Sequence, residues 1–140
     1  MKIILLIMIG LSILNAEIIR DADTGIVTDT SSQLMWQDDA IGTDTTWQNA
    51  IERCETLTLG SYSDWRLPNI NELKSIVDRS KVYPAIVTGF VNTSSSGYYW
   101  SSTTYEGHKS RAWGVGFYGG GVGNGPKGNS GYVRCVRDGQ

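Results

Sequence analysis

The sequence predicts an α+β domain. Two segments in the middle of the chain have the apolar spacing of amphipathic helices, and shorter segments before and after them have the composition of β-strands separated by turns. A length of 140 residues suits one domain with one core. With 40% hydrophobic residues, five Trp and seven Tyr, the chain is too apolar to be disordered.

Residues 1–16 have the pattern of a secretory signal peptide. Lys2 precedes an apolar run over residues 3–14, and cleavage is most plausible after Ala16. The run is shorter than the ~20 residues that a membrane-spanning helix needs, although an uncleaved anchor is the alternative. We therefore expect an exported protein, in the periplasm, at the cell surface or secreted. Its single domain would cover residues 17–140, with no membrane span after cleavage.

Short strands and turns are predicted at the start of the domain. Turn residues at positions 21–25 precede a strand over residues 26–28, and a second strand follows over residues 34–36. Asp38 and Asp39 then begin a polar linker. We expect both to be exposed there and to aid solubility, rather than to act as an acid–base pair.

The first helix is predicted to begin near Thr45, because Thr45 and Gln48 have the spacing of a capping box. An apolar stripe follows at the helical spacing i, i+3, i+4 and i+7, formed by Trp47, Ala50, Ile51 and Cys54. The helix should end near Gly60. Cys54 should therefore face the core.

A strand-to-helix corner is predicted at Asp64-Trp65-Arg66-Leu67-Pro68. The proline forces the residue before it into an extended conformation, and Asn69 can cap a helix while Glu72 reaches back to the cap. The helix should cover residues 70–79. If the arginine of the corner is buried it needs a carboxylate partner, for which Asp64 is the nearest candidate.

The second half of the domain is predicted to contain a long loop and three strands. Residues 81–97 lack a clear period and form the loop. Strands are expected over residues 98–103, 112–118 and 132–137, with a loop rich in Gly and Asn up to residue 131.

The two cysteines agree with export. An even pair in an oxidising compartment most often forms a disulfide, and two free buried thiols are the alternative. Cys54 lies on the stripe of the first helix and Cys135 in the last predicted strand.

The chain resembles the bacterial Lcl C-terminal domain family, named after the Legionella collagen-like adhesin. The motifs that carry the resemblance are Leu34-Met35-Trp36-Gln37, the helix from Trp47 to Cys54, Asp64-Trp65-Arg66-Leu67-Pro68 with Glu72-Leu73, Tyr99-Trp100-Ser101-Ser102, and Tyr132-Val133-Arg134-Cys135-Val136-Arg137. The resemblance implies a C-type-lectin-like fold, with two helices on a twisted antiparallel sheet, termini close together, and a bridge at the positions of Cys54 and Cys135. It also implies structural roles for Trp36, Trp47, Asp64, Trp65, Arg66, Leu67, Pro68, Glu72 and Trp100.

Neither metal-dependent nor catalytic chemistry is expected. The calcium-binding motifs of sugar-binding C-type lectins are missing, and residues 107–140 contain one carboxylate side chain, Asp138. The single histidine, His108, has no evident nucleophile or orienting acid. We therefore expect no cofactor, no metal and no nucleic-acid partner. An enzyme related to formylglycine-generating enzymes, which use cysteines, is the least favoured alternative.

Recognition without catalysis is the function that remains. The namesake adhesin binds sulfated glycosaminoglycans, so the resemblance implies adhesion through glycans or surface proteins, and a homo-oligomer is compatible with it. The predicted ligand-binding residues are Lys109, Arg111, Tyr118, Lys127 and Arg137, because arginine forks suit sulfate. Stacking faces could come from Tyr98, Tyr99, Trp113 and Tyr118. The alternative is a protein-interaction or scaffold module of the cell envelope.

Overall fold

The computed structural model describes residue 15 and residues 17–139, so the predicted signal peptide lies outside the described residues except for Asn15. In chain order the elements are β1 (Ile18–Asp21), β2 (Ile26–Asp29), β3 (Leu34–Gln37), α1 (Trp47–Glu55), α2 (Ile70–Ser75), β4 (Tyr98–Thr104), β5 (Arg111–Gly116), β6 (Gly121–Pro126) and β7 (Val136–Asp138). The predicted α+β class is confirmed. Within this part of the chain, neither helix is long or apolar enough to cross a membrane.

The strands form two antiparallel sheets, not the single sheet that the resemblance implied. The first sheet has the order β1-β2-β3-β7 and the second has the order β4-β5-β6. The strands at the two ends of the described chain thus belong to one sheet, where they form its opposite edges. Tyr132 forms a parallel bridge with Tyr99 of β4 before the chain enters β7. The final segment therefore crosses from the second sheet to the first, which is why the predicted strand over residues 132–137 is shorter in the structure.

A disulfide joins Cys54 in α1 to Cys135 just before β7, with a Cα–Cα distance of 5.4 Å. The predicted pairing is therefore confirmed. Both cysteines are fully buried, in a hydrophobic cluster that also contains Trp65 and Trp100. The bond ties the first helix to the segment that enters the last strand.

The predicted start and end of the first helix are wrong by a few residues. Thr46, not Thr45, caps α1, and its hydroxyl accepts a hydrogen bond from the Asn49 N–H. Thr46 itself has an extended backbone, with φ −65° and ψ 160°, so the helix begins only at Trp47, and Thr45 lies outside it in a bridge with Gly131. At the other end, the Thr56 hydroxyl donates to the Glu52 carbonyl at 2.9 Å, and the helix ends at residue 55 instead of residue 60.

The predicted corner and its capping box are present. Asn69 Oδ1 accepts from the Glu72 N–H at 2.8 Å, and Glu72 Oε1 accepts from the Asn69 N–H at 2.9 Å. However, α2 ends at residue 75 rather than residue 79. The Ile76 carbonyl instead accepts from the Val87 N–H at 3.0 Å, so pairing with the long loop replaces the last predicted turn of the helix.

Candidate functional site

One face of the second sheet carries very few side-chain atoms. β5 and β6 place Gly114 opposite Gly123 and Ala112 opposite Gly125. Residues opposite each other share a face, and this face is also that of Tyr98 in β4. The strand β6 was missed in the sequence, where its glycines predicted a loop. It exists because β5 supplies a full ladder of partners.

A cleft of about 260 Å³ opens on this glycine-rich face. Its lining includes the rings of Tyr98 and Trp100, the backbone of Gly123, and the polar residues Asn129 and Ser130. We call it the tyrosine cleft. Among the described residues that line it, none is acidic, and the one basic residue, Arg111, is held by Asn124. The cleft therefore offers an aromatic wall, bare backbone and neutral hydrogen-bonding groups.

The two aromatic side chains of the tyrosine cleft have different roles. Trp100 is 4% exposed, and its indole N–H donates to the Thr45 carbonyl at 2.9 Å, so it forms a fixed wall. Tyr98 is 43% exposed, and a Cβ atom at Gly123 would lie 3.0 Å from its ring. The Tyr98 ring thus lies directly over glycine backbone, with part of its surface free for a ligand.

Tyr118, a predicted ligand residue, lies beside the tyrosine cleft. Its hydroxyl is 3.1 Å from that of Tyr98, and the two rings are arranged edge to face with centroids 6.0 Å apart. The hydrogen bond with Tyr98 raises the pKa of the Tyr118 hydroxyl. The contact between the two hydroxyls limits the movement of the Tyr98 ring. The other predicted stacking residues differ: Tyr99 is buried, and Trp113 packs edge to face on Tyr105.

The predicted basic residues do not form one patch. Arg111 contributes to the cleft border, but its Nε donates to Asn124 Oδ1 at 2.6 Å and its Nη2 to the Asn124 carbonyl at 3.1 Å. Lys127 has its ammonium 4.1 Å from the ring centroid of Trp47 and donates to a threonine hydroxyl of β4. Lys109 is exposed in the loop between β4 and β5.

Arg137 is 8% exposed and is held inside the fold. Its Nε donates to Asp64 Oδ1 at 2.6 Å, and its guanidinium carbon lies 3.7 Å from the ring centroid of Tyr62. The hydrogen bond from Arg137 lowers the pKa of the Asp64 carboxyl. The sequence predicted that Asp64 would be the partner of Arg66. That prediction is wrong, because Asp64 is bound to Arg137.

Arg66 instead forms a fork with the carboxylate of the capping residue Glu72, at 2.7 and 2.8 Å, and reaches Asp138 at 2.9 Å. The hydrogen bonds from Arg66 lower the pKa of the Glu72 carboxyl. The Arg66 side chain is 39% exposed. The corner motif thus joins α2 to β7 through the bonds of Arg66 to Glu72 and Asp138.

The structure reveals a buried ion-pair centre that the sequence did not predict. Asp38 was expected on an exposed linker but is fully buried. Its carboxylate accepts from Nη1 of Arg134 at 2.7 Å, from Arg20, and from the backbone N–H groups of Val91 and Asn92 at 2.8 and 3.2 Å. This centre fastens the long loop to the end of β3. No local pattern signals it, because Arg134 is 96 positions away.

The histidine and the two cysteines are the remaining groups that the sequence offered for catalysis. His108 is exposed in a loop, and both cysteines are joined in the disulfide. Across residues 17–139, no three His, Cys, Asp or Glu side chains come together in an arrangement that could hold a metal ion.

Comparison with known proteins gives one family. Residues 25–137 match the family described as Lcl C-terminal domain. The match begins after β1, contains both helices and the strands β2 to β6, and ends within β7. No curated protein matches the chain.

Proposed function

The chain belongs to the Lcl C-terminal domain family, and on that basis we propose that it is an exported, non-catalytic recognition domain with a C-type-lectin-like fold. It binds a glycan at the tyrosine cleft, as an adhesin-type domain would. The observation that carries the proposal is the half-exposed ring of Tyr98, which lies over glycine backbone beside neutral polar groups.

The chemistry of the cleft suits a sugar. The apolar face of a sugar ring can stack on an aromatic ring, and its hydroxyls need neutral donors and acceptors. Tyr98 supplies the ring, while the Asn129 amide and the Ser130 hydroxyl supply the polar partners. The volume of about 260 Å³ lies just below the roughly 300–1,000 Å³ of sites for drug-sized ligands. The cleft is thus suited to a short stretch of a glycan.

Two features of the scaffold support recognition rather than catalysis. The disulfide uses both cysteines, which leaves no free thiol for chemistry of the formylglycine-generating type. The same bond persists best in an oxidising compartment, which supports export. The tyrosine hydroxyl pair and the fixed Trp100 hold the cleft in place before a ligand arrives, and such preorganisation lowers the entropy that binding costs.

Removal of the exposed ring tests the proposal. We expect Tyr98→Ala to weaken binding of a glycan identified on an array by about tenfold, which corresponds to ~1.4 kcal/mol. Tyr98→Phe keeps the ring but loses the hydroxyl contact with Tyr118, so it should bind more tightly than Tyr98→Ala and somewhat more weakly than the parent protein. Isothermal titration calorimetry measures both affinities.

The matched control for this experiment is Ile19→Ala, which removes a half-exposed apolar side chain from β1 in the other sheet. Its affinity should equal that of the parent protein. An unchanged affinity of Tyr98→Ala, or a protein that binds no glycan at all, would contradict the proposal.

A second candidate function is a protein-interaction module. Three side chains of the long loop region are strongly exposed for apolar residues: Val82 at 64%, Tyr83 at 71% and Val91 at 67%. Val82 and Tyr83 are neighbours in the chain, and adjacent exposed apolar side chains are typical of contact surfaces. A partner that co-purifies with the exported protein and is lost in Tyr83→Ala, combined with an empty glycan array, would favour this function.

A further inference from the structure

We infer that the tyrosine cleft selects an uncharged sugar over a sulfated or carboxylated one, an inference that rests on the proposed glycan binding. The sequence offers several cations in its second half, which would favour a sulfated ligand. The structure assigns most of those cations to partners within the protein. In the described lining of the cleft, Arg111 is the one charged residue, and it is bonded to Asn124.

The two arginines nearest the C-terminus are unavailable to a sulfate group. Arg134 is 2% exposed and bound to Asp38, and Arg137 is 8% exposed and bound to Asp64. A sulfate would have to displace a carboxylate from each and leave that carboxylate without its partner. The exchange at Asp38 is unfavourable because an unpaired charge inside a protein is costly, whereas the exposed carboxylate of Asp64 would be solvated, so at Arg137 the obstacle is the burial of the guanidinium itself.

The arginine at the border of the cleft is also largely committed. Arg111 uses Nε and Nη2, one full edge of its fork, to hold Asn124. Strand alternation places its side chain on the face of the sheet opposite to that of Ala112 and Gly114. Lys127 is held over Trp47. Although the Nη1 end of the Arg111 fork is not used by Asn124, the side chain belongs to the other face of the sheet, so a sulfate over Gly114 and Gly123 would lack the planar two-bond contact that makes arginine effective with such groups.

The charge of the whole protein acts in the same direction. The sequence has 12 basic and 14 acidic residues, and one of the basic residues, Lys2, lies in the predicted signal peptide. A polyanion would approach a surface of net negative charge and would need a local excess of free cations. A neutral pyranose meets no such barrier, because its hydroxyls pair with Asn129, Ser130 and backbone groups.

The experiment is a glycan array with neutral, carboxylated and sulfated members, followed by titration of the best member of each class. We expect binding to neutral glycans, with an affinity that changes less than about twofold between about 0.15 M and 1 M NaCl, since screening affects charged pairs only. Heparin should not be retained at the lower salt concentration. Lys109→Ala, which removes an exposed cation outside the cleft, should leave the neutral affinity unchanged.

Two results would overturn the inference, and they differ in what they mean for the proposed function. A preference for sulfated or carboxylated glycans, with an affinity that falls at least tenfold at the higher salt concentration, would overturn the inference alone, because glycan binding would stand. Failure to bind any of the three classes would overturn both.

Discussion

Replacing Asp38 with alanine should lower the free energy of unfolding by about 3–5 kcal/mol, the typical cost of breaking a buried ion pair by removing one partner. The variant leaves the Arg134 guanidinium buried without its carboxylate, and it leaves the N–H groups of Val91 and Asn92 without their acceptor. Arg134 also lies over Phe90, with its guanidinium carbon 4.9 Å from the ring centroid, so its charge cannot turn towards solvent without disturbing the core. Urea unfolding followed by tryptophan fluorescence measures the loss.

The neighbouring residue provides a matched control. Asp39 is exposed, so Asp39→Ala should change the free energy of unfolding by less than about 0.5 kcal/mol. The double variant Asp38→Ala/Arg134→Met also removes the buried guanidinium that Asp38→Ala leaves unpaired. Its loss in free energy of unfolding should therefore be smaller than the sum of the losses of the two single variants. If Asp38→Ala were as stable as Asp39→Ala, the predicted contribution of the buried ion-pair centre to stability would be contradicted.

Reduction of the disulfide should also destabilise the protein strongly. The bond joins residues 81 positions apart in the sequence, and loss of a native disulfide from a small exported domain costs about 2–5 kcal/mol. The main reason is that the reduced chain gains conformational freedom when it unfolds. We expect the urea midpoint of the parent protein to fall when a reductant is added.

The double variant Cys54→Ala/Cys135→Ala is the control for reduction. It should unfold at the same urea concentration with and without reductant, near the midpoint of the reduced parent protein. Two free thiols found by mass spectrometry in the protein before reduction would show that the bond is absent. An unchanged midpoint of the parent protein after complete reduction would show that the bond has no effect on stability.

The features that could be predicted from the sequence depend on residues close together in the chain. The capping box joins Asn69 and Glu72, which are only three positions apart in the sequence, and the structure contains it. The apolar stripe of α1 likewise placed Cys54 in the core. Such patterns are local, so the sequence carries them without knowledge of the fold.

The features that were missed depend on distant partners. Asp38 was expected in solvent because it follows a strand and precedes polar residues, but Arg134 and the long loop enclose it. The acidic partners of two arginines also differ from the prediction. Asp64 binds Arg137, and Arg66 binds Glu72, because the last strand brings Arg137 next to Asp64. Sequence proximity favoured the wrong pair.

The candidate site was predicted only in part. Tyr98 and Tyr118 were among the possible stacking residues, and the structure brings their hydroxyls together. The floor of the cleft was not predicted, because the glycines of β6 have no side-chain pattern and are a strand only through pairing with β5. The predicted basic site residues are dispersed, since burial and internal ion pairs are not visible in a count of charges.

Chemical-shift mapping tests the proposed binding at the cleft most directly. Isotope-labelled protein would be titrated with the neutral glycan that the array ranks highest. The largest shifts should appear at the backbone N–H groups of Gly123, Gly125 and Gly131 and at the indole N–H of Trp100, which all line the cleft. Gly123 lies against the ring of Tyr98, and Gly125 and Gly131 lie against that of Trp100. Shifts confined to the long loop over residues 81–97, with these four signals unmoved, would show that recognition occurs elsewhere on the protein.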